Sequence, residues 1–372
     1  MRRVNFGDIV NIRDSEREPL NKKERNEIKG SGTYPYIGAN GIVDWVDEYL
    51  FDEKILCIAE DGGSWGKNEV CTQIYNEKCW VNNHAHVVTA KEKVLTEYLS
   101  YYLNYQDLNS FITGTTRGKL NQTNLKKIEI PLPSLSEQKA IVAKLERSQR
   151  LIDIDRQMLA KYDELIQSVF LEMFGDPVRN EKGLPRKKIK ETGEVITGNT
   201  PPKKNPENYG SEIEWVKTTN IVEDQLYPTT AEEYLSEIGK ELGRIIPENS
   251  LIVCCIAGSL SSIGKCSIVN REVSINQQIN AIVPIPDIID TTFLYAQFLV
   301  GKNLIQDAST KSMKGMVSKS KFEKIELLVP DISTQRQFST LFKKIKNEKQ
   351  KLWLIKNKSE ELFSSLVMVA FG

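Results

Sequence analysis

The chain has 372 residues, and its fifty lysines and arginines are balanced by fifty aspartates and glutamates, so the formal net charge is zero. That balance argues against a uniformly basic nucleic-acid binder, yet binding depends on where the cations sit and not on their sum; acids can line one set of surfaces and lysines another. The length suits roughly two domains with extra elements, each half being large enough to bury its own core. No apolar h-region follows the basic start MRRVNFGDIV, and the longest strongly apolar stretch, LIVCCIA at 251–257, is too short to cross a bilayer, so a soluble, intracellular chain is expected.

Residues 1–133 form the first of four predicted segments. Glycine-punctuated apolar runs such as ILCIA and AHVVTA predict strands joined by turns, and EYLSYYLNYQDLNSFI predicts a helix. His84 and His86, the only histidines, form His-Ala-His, which as a strand would put both rings on one face. No third ligand stands at a metal spacing, so a structural or recognition role is expected and no metal site. The six cysteines, Cys57, Cys71, Cys79, Cys254, Cys255 and Cys266, show no CxxC spacing, which predicts buried free thiols.

Residues 134–175 carry the clearest element. Ile141, Leu145, Ile152, Leu159, Tyr162, Ile166, Val169 and Met173 alternate at four and three residues, with Ser148 and Asp155 as polar exceptions. This heptad pattern predicts a coiled-coil helix of about forty residues, about 60 Å long. Ser134 with Glu137 makes a capping box after Pro133, and Gly175 with Pro177 stops the helix.

Residues 176–330 repeat the order of sheet, then helix, through GEVITGNTPP, IEWVKTTNI, LIVCCIAGSLSSIGKCSIV, INQQINAIVPI and TTFLYAQFLVGKNLI, with different residues between. Residues 331–372 then return to a long helix. GKLNQTNLKKIEIPLPSLSEQ at 118–138 is repeated as GMVSKSKFEKIELLVPDISTQ at 315–335, Lys127 falling on Lys324 and Gln138 on Gln335. The same offset carries Leu165 onto Leu362, Phe174 onto Phe371 and Gly175 onto Gly372. The chain is therefore two copies of one module. The second seam shows Phe338, Phe342, Ile345, Leu352, Phe363 and Leu366, interrupted by Lys349, Lys356 and Ser359. Neither seam is fully apolar, and their different interruptions favour pairing of the two helices with each other.

Catalytic motifs fail to assemble. There is no FxGxG turn, no Asn-Pro-Pro-aromatic tetrapeptide and no GxxxxGKT; Asn205-Pro206-Glu207-Asn208 and the stretch Gly258 to Lys265 have the wrong residues or spacing. Glu60, Asp61, Asp52 and Glu53 lack histidine or lysine partners at a spacing that specifies acid/base chemistry. What remains are polar loops. TGTTRGKLNQ at 113–122 and STKSMKGMVSK at 309–319 are one loop in two copies, with lysine, arginine, hydroxyls and glycine backbone suited to phosphate. Candidate DNA contacts in the first half are Lys67, Asn68, Asn82, Asn83, His84, Arg117, Lys119, Asn121 and Gln122. In the second half they are Lys203, Lys204, Lys217, Thr218, Asn220, Lys265, Asn276, Gln277, Lys311, Lys314 and Lys319. Arginine reads guanine, and asparagine or glutamine reads adenine, by paired hydrogen bonds in the major groove.

GKLNQTNLKKIEIPLPSLSEQKAIVAKL and its second copy resemble the conserved regions of specificity subunits of Type I restriction-modification systems, and IGANGIVDWVDEYLFDE, WVNNHAHVV, VITGNTPPKKN, WVKTTNI and INQQINAIV look like segments of their target-recognition domains. The second copy departs from the motif at Leu328, Val329 and Thr334, where the first has Pro131, Leu132 and Glu137. The resemblance implies an α/β (α+β) fold of two target-recognition domains, each followed by a long helix, with the helices forming an antiparallel intramolecular coiled coil. It further implies a non-catalytic subunit of the prokaryotic cytoplasm that reads a split, asymmetric site on double-stranded DNA. Its partners would be two modification (methyltransferase) subunits and a restriction subunit; S-adenosylmethionine, ATP and Mg belong to those partners, and this chain would carry no cofactor. An orphan relative without a restriction role and a coiled-coil scaffold for proteins are the alternatives.

Overall fold

The computed structural model describes residues 2–114, 116–223, 225–310 and 315–372, which fall into two compact units. Met1–Arg156 with Leu354–Gly372 makes one, and Gln157–Trp353 the other. The candidate positions Lys311 and Lys314 lie outside the described residues. Among the described residues no helix is long and apolar enough to cross a membrane.

The first unit is built on an antiparallel four-stranded sheet in the order Val10–Ile12, Ala85–Ala90, Ile55–Ala59, Thr72–Tyr75. ILCIA is buried at all five positions, as a central strand covered on both faces must be. A smaller sheet joins Gly41–Val46, Tyr34–Gly38 and Trp80–Val81, the last pair parallel. Helix Thr96–Tyr105 buries Tyr98, Leu99, Tyr102 and Leu103. A third, two-stranded sheet pairs Arg3–Asn5 with Glu129–Pro131, tying the first strand of the unit to the repeated segment.

The second unit has the same plan on different residues. Its four-stranded sheet runs Gly193–Thr197, Ile279–Pro284, Leu251–Cys254, Cys266–Ile268, again antiparallel. Tyr209–Val216 and Val273–Ile275 form its parallel pair, helix Thr291–Val300 follows, and Arg186–Lys188 pairs with Glu326–Leu328. The duplication therefore runs through the front ends as well, where the residues had ceased to match.

Two glutamines of the repeat explain why that segment is kept. Gln138 and Gln335 are fully buried. Gln138 Oε1 accepts from the Leu95 N–H at 2.9 Å while Nε2 donates to the carbonyls of Lys93 and Pro133. Gln335 does the same with Asp290 N–H and the carbonyls of Ile288 and Pro330. Each amide bolts the start of a long helix to the segment entering its own unit's core helix, with every polar atom satisfied. The departure at Leu328 is compensated in the same way. Tyr98 Oη donates to the Pro131 carbonyl, and proline offers no N–H in return. Leu328 does offer one, and the fully buried Gln297 both accepts from it and donates to its carbonyl.

The long helices are Leu135–Phe174 and Ile332–Phe371, forty residues each. The capping box is present, Ser134 N–H donating to Glu137 and Glu137 N–H to Ser134 Oγ. Asp331 alone caps the second helix, accepting from the N–H groups of Ser333 and Thr334; the hydroxyl of Thr334, with that of Ser333, holds its carboxyl down at about 2. Gly175 takes φ +74, the left-handed stop that favours glycine, and its N–H reaches the Leu171 carbonyl.

Both units pair the helices antiparallel. In the first, Val142 and Leu145 near the start of the first helix share a core with Val367 and Phe371 at the end of the second; Phe371 stacks edge-on against Tyr98 and Tyr102. In the second, Ile166, Phe170 and Phe174 meet Phe338, Phe342 and Ile345, with Phe174 edge-on to Phe293. Ile152 is buried, and Ile141, Leu159, Leu352, Phe363 and Leu366 are half-buried. The polar interruptions meet one another: Ser359 Oγ donates to Asp155 at 3.2 Å, Lys349 bonds Asp163 at 2.5 Å and Arg156 bonds Glu360 at 2.8 Å.

Candidate nucleic-acid interface

In the first unit the repeated loop lies across the turn after the ILCIA strand. Leu120 N–H donates to the Glu60 carbonyl at 2.8 Å and Gly62 N–H to the Gly118 carbonyl at 3.1 Å. Asp61 and Thr113 each make an antiparallel bridge with Lys119. This seating brings Arg117 to Asp61 at 2.7 Å and Lys119 to Glu60 at 3.0 Å, both cations keeping about half or more of their surface in solvent at 61% and 49%. Gly62 has φ +64, and a Cβ there would sit 3.0 Å from the Arg117 guanidinium, so glycine is what lets that side chain cross the turn. His84 Nδ1 is 2.9 Å from the same Asp61 carboxylate.

Below this surface lies a charged cluster. His86, 1% exposed, faces Asp14 Oδ2 at 2.6 Å through Nδ1 and donates from Nε2 to the Leu120 carbonyl at 2.7 Å. Arg17 bonds Glu60 at 2.7 Å and the Ala85 carbonyl at 2.6 Å, and Gln122 donates to Asp14 at 3.2 Å. Burial opposes ionisation of Asp14, but the hydrogen bond and charge of His86, the Val87 N–H and Arg17 hold its carboxyl below the ordinary range. Burial likewise opposes ionisation of Glu60, and hydrogen bonds from Arg17 and Lys119 overcome it. Asp14, Glu60 and His86 place one ligand atom each within 4.8 Å of one another, a spacing that suits a metal ion. Here Arg17, Lys119 and Gln122 already occupy the carboxylates, and both imidazole nitrogens already face acceptors.

The remaining candidates divide by burial. Lys67, Asn68 and Asn83 are exposed, Lys67 lying over the Tyr105 ring. Asn121 caps the helix Gln122–Lys126 by accepting from Asn124 N–H. In the second unit Lys203, Lys204, Gln277 and Lys319 are exposed. Lys217 and Thr218 are half-buried; Lys217 is paired with Glu233 and lies over Trp215, and Lys265 pairs with Glu223 at 3.5 Å. Asn82, Asn220 and Asn276 are buried, and their amide oxygens accept from His84, Lys217 and Gln278 N–H to hold tight turns.

The first unit's loop also departs from the simple picture of acids and bases on separate surfaces, since its cations are each bonded to a carboxylate. Asp61 and Glu60 keep only 17% and 12% of their side-chain surface in solvent while the cations keep 61% and 49%, so each cation can turn a free face to a phosphate while it holds its carboxylate. Sequence reading passed over Asp14 and Arg17, and found no histidine or lysine partner for Glu60 or Asp61, because the partners are distant in sequence: Asp14 and His86 stand 72 residues apart. Arg244 was passed over too; it lines, with Lys319, Glu194 and Thr197, a groove of about 460 Å³ on the second unit.

The profile of the type I restriction modification DNA specificity domain matches residues 1–161 and again residues 182–360. The chain belongs to that family. A putative type I restriction enzyme specificity subunit of Haemophilus influenzae is 37% identical over 139 residues, covering 37% of this chain and 35% of that relative. The HindI specificity subunit of the same organism is 31% identical over 160 residues, covering 40% of this chain and 32% of the relative. The chain thus spans about a third of the length of these curated relatives. In fold it is similar to the S subunit of a type I restriction-modification system from M. genitalium, with a TM-score of 0.62 at 14% identity, covering 100% of this chain and 96% of the other. A chain from a structural study of complex assembly and conformational transition of the type I R-M system gives 0.59 at 16% identity, covering 100% of this chain and 97% of the other. Both matched regions of the specificity family take in one front end, the loop behind it and the start of its long helix.

Proposed function

We propose that this chain is the sequence-reading subunit of a type I restriction-modification complex, each unit contacting one half of a bipartite, asymmetric site on double-stranded DNA. The observation that carries this reading is the pair of family-matched regions, each delivering a loop of shared origin and basic character to a differently furnished sheet. Shared loops supply phosphate contacts that fix register, and unlike sheets and turns supply two different readings. Arg117, Lys119, Lys67, Lys203, Lys204 and Lys319 are exposed, and this supports them as candidates for such contacts. The two long helices set the separation of the half-sites. A forty-residue helix is about 60 Å long, against about 34–36 Å for one turn of duplex.

On this reading the chain performs no chemistry itself. Two modification subunits would supply S-adenosylmethionine-dependent methylation of adenine and a restriction subunit the ATP- and Mg-dependent steps. Exposed Leu151, Ile154, Met158, Leu341, Trp353 and Ile355 on the long helices are apolar positions suited to docking such subunits. Binding of the intact complex to duplex carrying its site should fall steeply with salt, and replacing Arg117 and Lys119 by alanine should reduce the slope by about one for each phosphate no longer neutralised. Salt-independent duplex binding would favour a protein-interaction scaffold instead.

A further inference from the structure

We propose that Asp14, Glu60 and His86 form a charged seat that positions the basic loop of the first unit for DNA, and that, among the described residues, the second unit has the neutral Thr197, Cys255 and Asn280 in their place. This rests on the DNA-reading role proposed above.

The equivalence of the two seats is fixed by backbone hydrogen bonds. Glu60 N–H donates to the His84 carbonyl and its own carbonyl accepts from Leu120; Cys255 N–H donates to the Gln278 carbonyl and its own carbonyl accepts from Val317. Glu60 and Cys255 therefore hold one position. Ile58 pairs with His86 as Val253 pairs with Asn280, so histidine corresponds to asparagine. On the neighbouring strand Ile12 pairs with Val88 and Thr197 with Asn280, which sets Asp14, two residues on, against Thr197. The side chains repeat the contact in neutral form: Thr197 Oγ1 donates to Asn280 Oδ1 at 2.8 Å where Asp14 meets His86 at 2.6 Å. Cys255 is 2% exposed, and burial pushes its thiol up to about 12.

The first seat costs more to build and holds more. Two carboxylates and a histidine are taken largely from water, which is favourable only while each keeps its partner. Those partners include the loop: the Leu120 carbonyl accepts a hydrogen bond from His86 Nε2, Lys119 pairs with Glu60 and Gln122 donates to Asp14. Displacing the loop strands charge, so the seat resists displacement. The charged groups facing His86 are Asp14 and Glu60, and Arg17 and Lys119 are paired with those carboxylates; the buried thiol of Cys57 lies near Asp14 and Arg17. Asp14 and Glu60 both ionise below their ordinary 3.8 and 4.5, so their contribution is complete above those values and is lost as pH falls through the lowered ones. Acid should free the first loop and leave the second.

The test compares the complete chain with His86→Asn and with a graft of the second unit's set, Asp14→Thr, Glu60→Cys and His86→Asn together, to which Arg17→Thr is added because Arg17 would lose both of its carboxylate partners. Amide exchange is read at Thr113, Lys119 and Leu120, and at Val317, from pH 7 down to about 2, below the ordinary carboxylate range, and half-site preference by selection from a random duplex pool. His86→Asn should speed exchange at the first loop about tenfold or more, the loss of one or two buried hydrogen bonds, and erase the first half-site while keeping the second. The graft should restore both and abolish the acid response. Unchanged loop exchange and first half-site in His86→Asn would overturn the proposal, as would a graft that folds with its first loop still loose. A wild-type chain that selects no half-site sinks the DNA reading alone, since loop exchange still decides the seat.

Discussion

Gln138 and Gln335 show how much one residue of the repeat accomplishes. Removing either side chain leaves a buried N–H at Leu95 or Asp290 and two carbonyls unpartnered, which should cost about 2–3 kcal/mol. Local hydrogen exchange at those amides checks Gln138→Ala and Gln335→Ala, and a loss below about 0.5 kcal/mol would contradict the latch. Leu328→Pro, which copies the first module into the second, should destabilise the second unit because Gln297 Oε1 then loses its donor. The sequence marked Leu328 as a departure, but Gln297 lies 31 residues earlier and nothing local links the two. The histidines were only half legible for the same reason: alternation places His84 and His86 beside each other, whereas their acids, Asp61 and Asp14, arrive from separate turns. The N-cap carries a pH sign of its own. Asp331 ionises at about 2, so its contribution is whole above its ordinary 3.8 and disappears as pH falls toward 2; the first turn of the second helix should fray over that range in exchange measurements.

At the scale of elements, the helices were the most legible part of the chain, because heptads, a capping box and a left-handed glycine are local signals. Ser359 hydrogen-bonded to Asp155, and Lys349 to Asp163, bear out the reading that the seams complement one another. The register so defined is testable by charge exchange. Lys349→Glu should destabilise the second unit by about 1 kcal/mol and Asp163→Lys in the same chain should recover most of it, as a double-mutant cycle in urea would show. The strands were legible as apolar runs, but not as one sheet used twice: ILCI and LIVC are interchangeable in a core, and the polar positions that would have signalled kinship changed from Asp, Glu and His to Thr, Cys and Asn. Phe174 and Phe371 close each helix inside the unit that the other helix begins from. Phe371→Ala should cost about 3–5 kcal/mol and loosen Tyr98 and Tyr102 in the first unit, although it alters the second copy of the repeat.

For the whole molecule, the repeat divides labour between what is shared and what is not. Loop, latch and helix are common to both copies, whereas the residues on the sheets and turns differ; on the DNA-reading proposal it is these unlike residues that carry selectivity. Inserting one heptad into both long helices should lengthen the spacer of the preferred DNA site by a few base pairs without changing either half-site, a heptad being about 10 Å of helix against about 3.4 Å per base pair. Genome-wide single-molecule mapping of methylated adenines, in cells carrying and lacking this chain, tests the central claim most directly. A bipartite motif with a fixed non-specific spacer, present only when the chain is present, is the predicted result. A methylation pattern that is the same in both cells would contradict it.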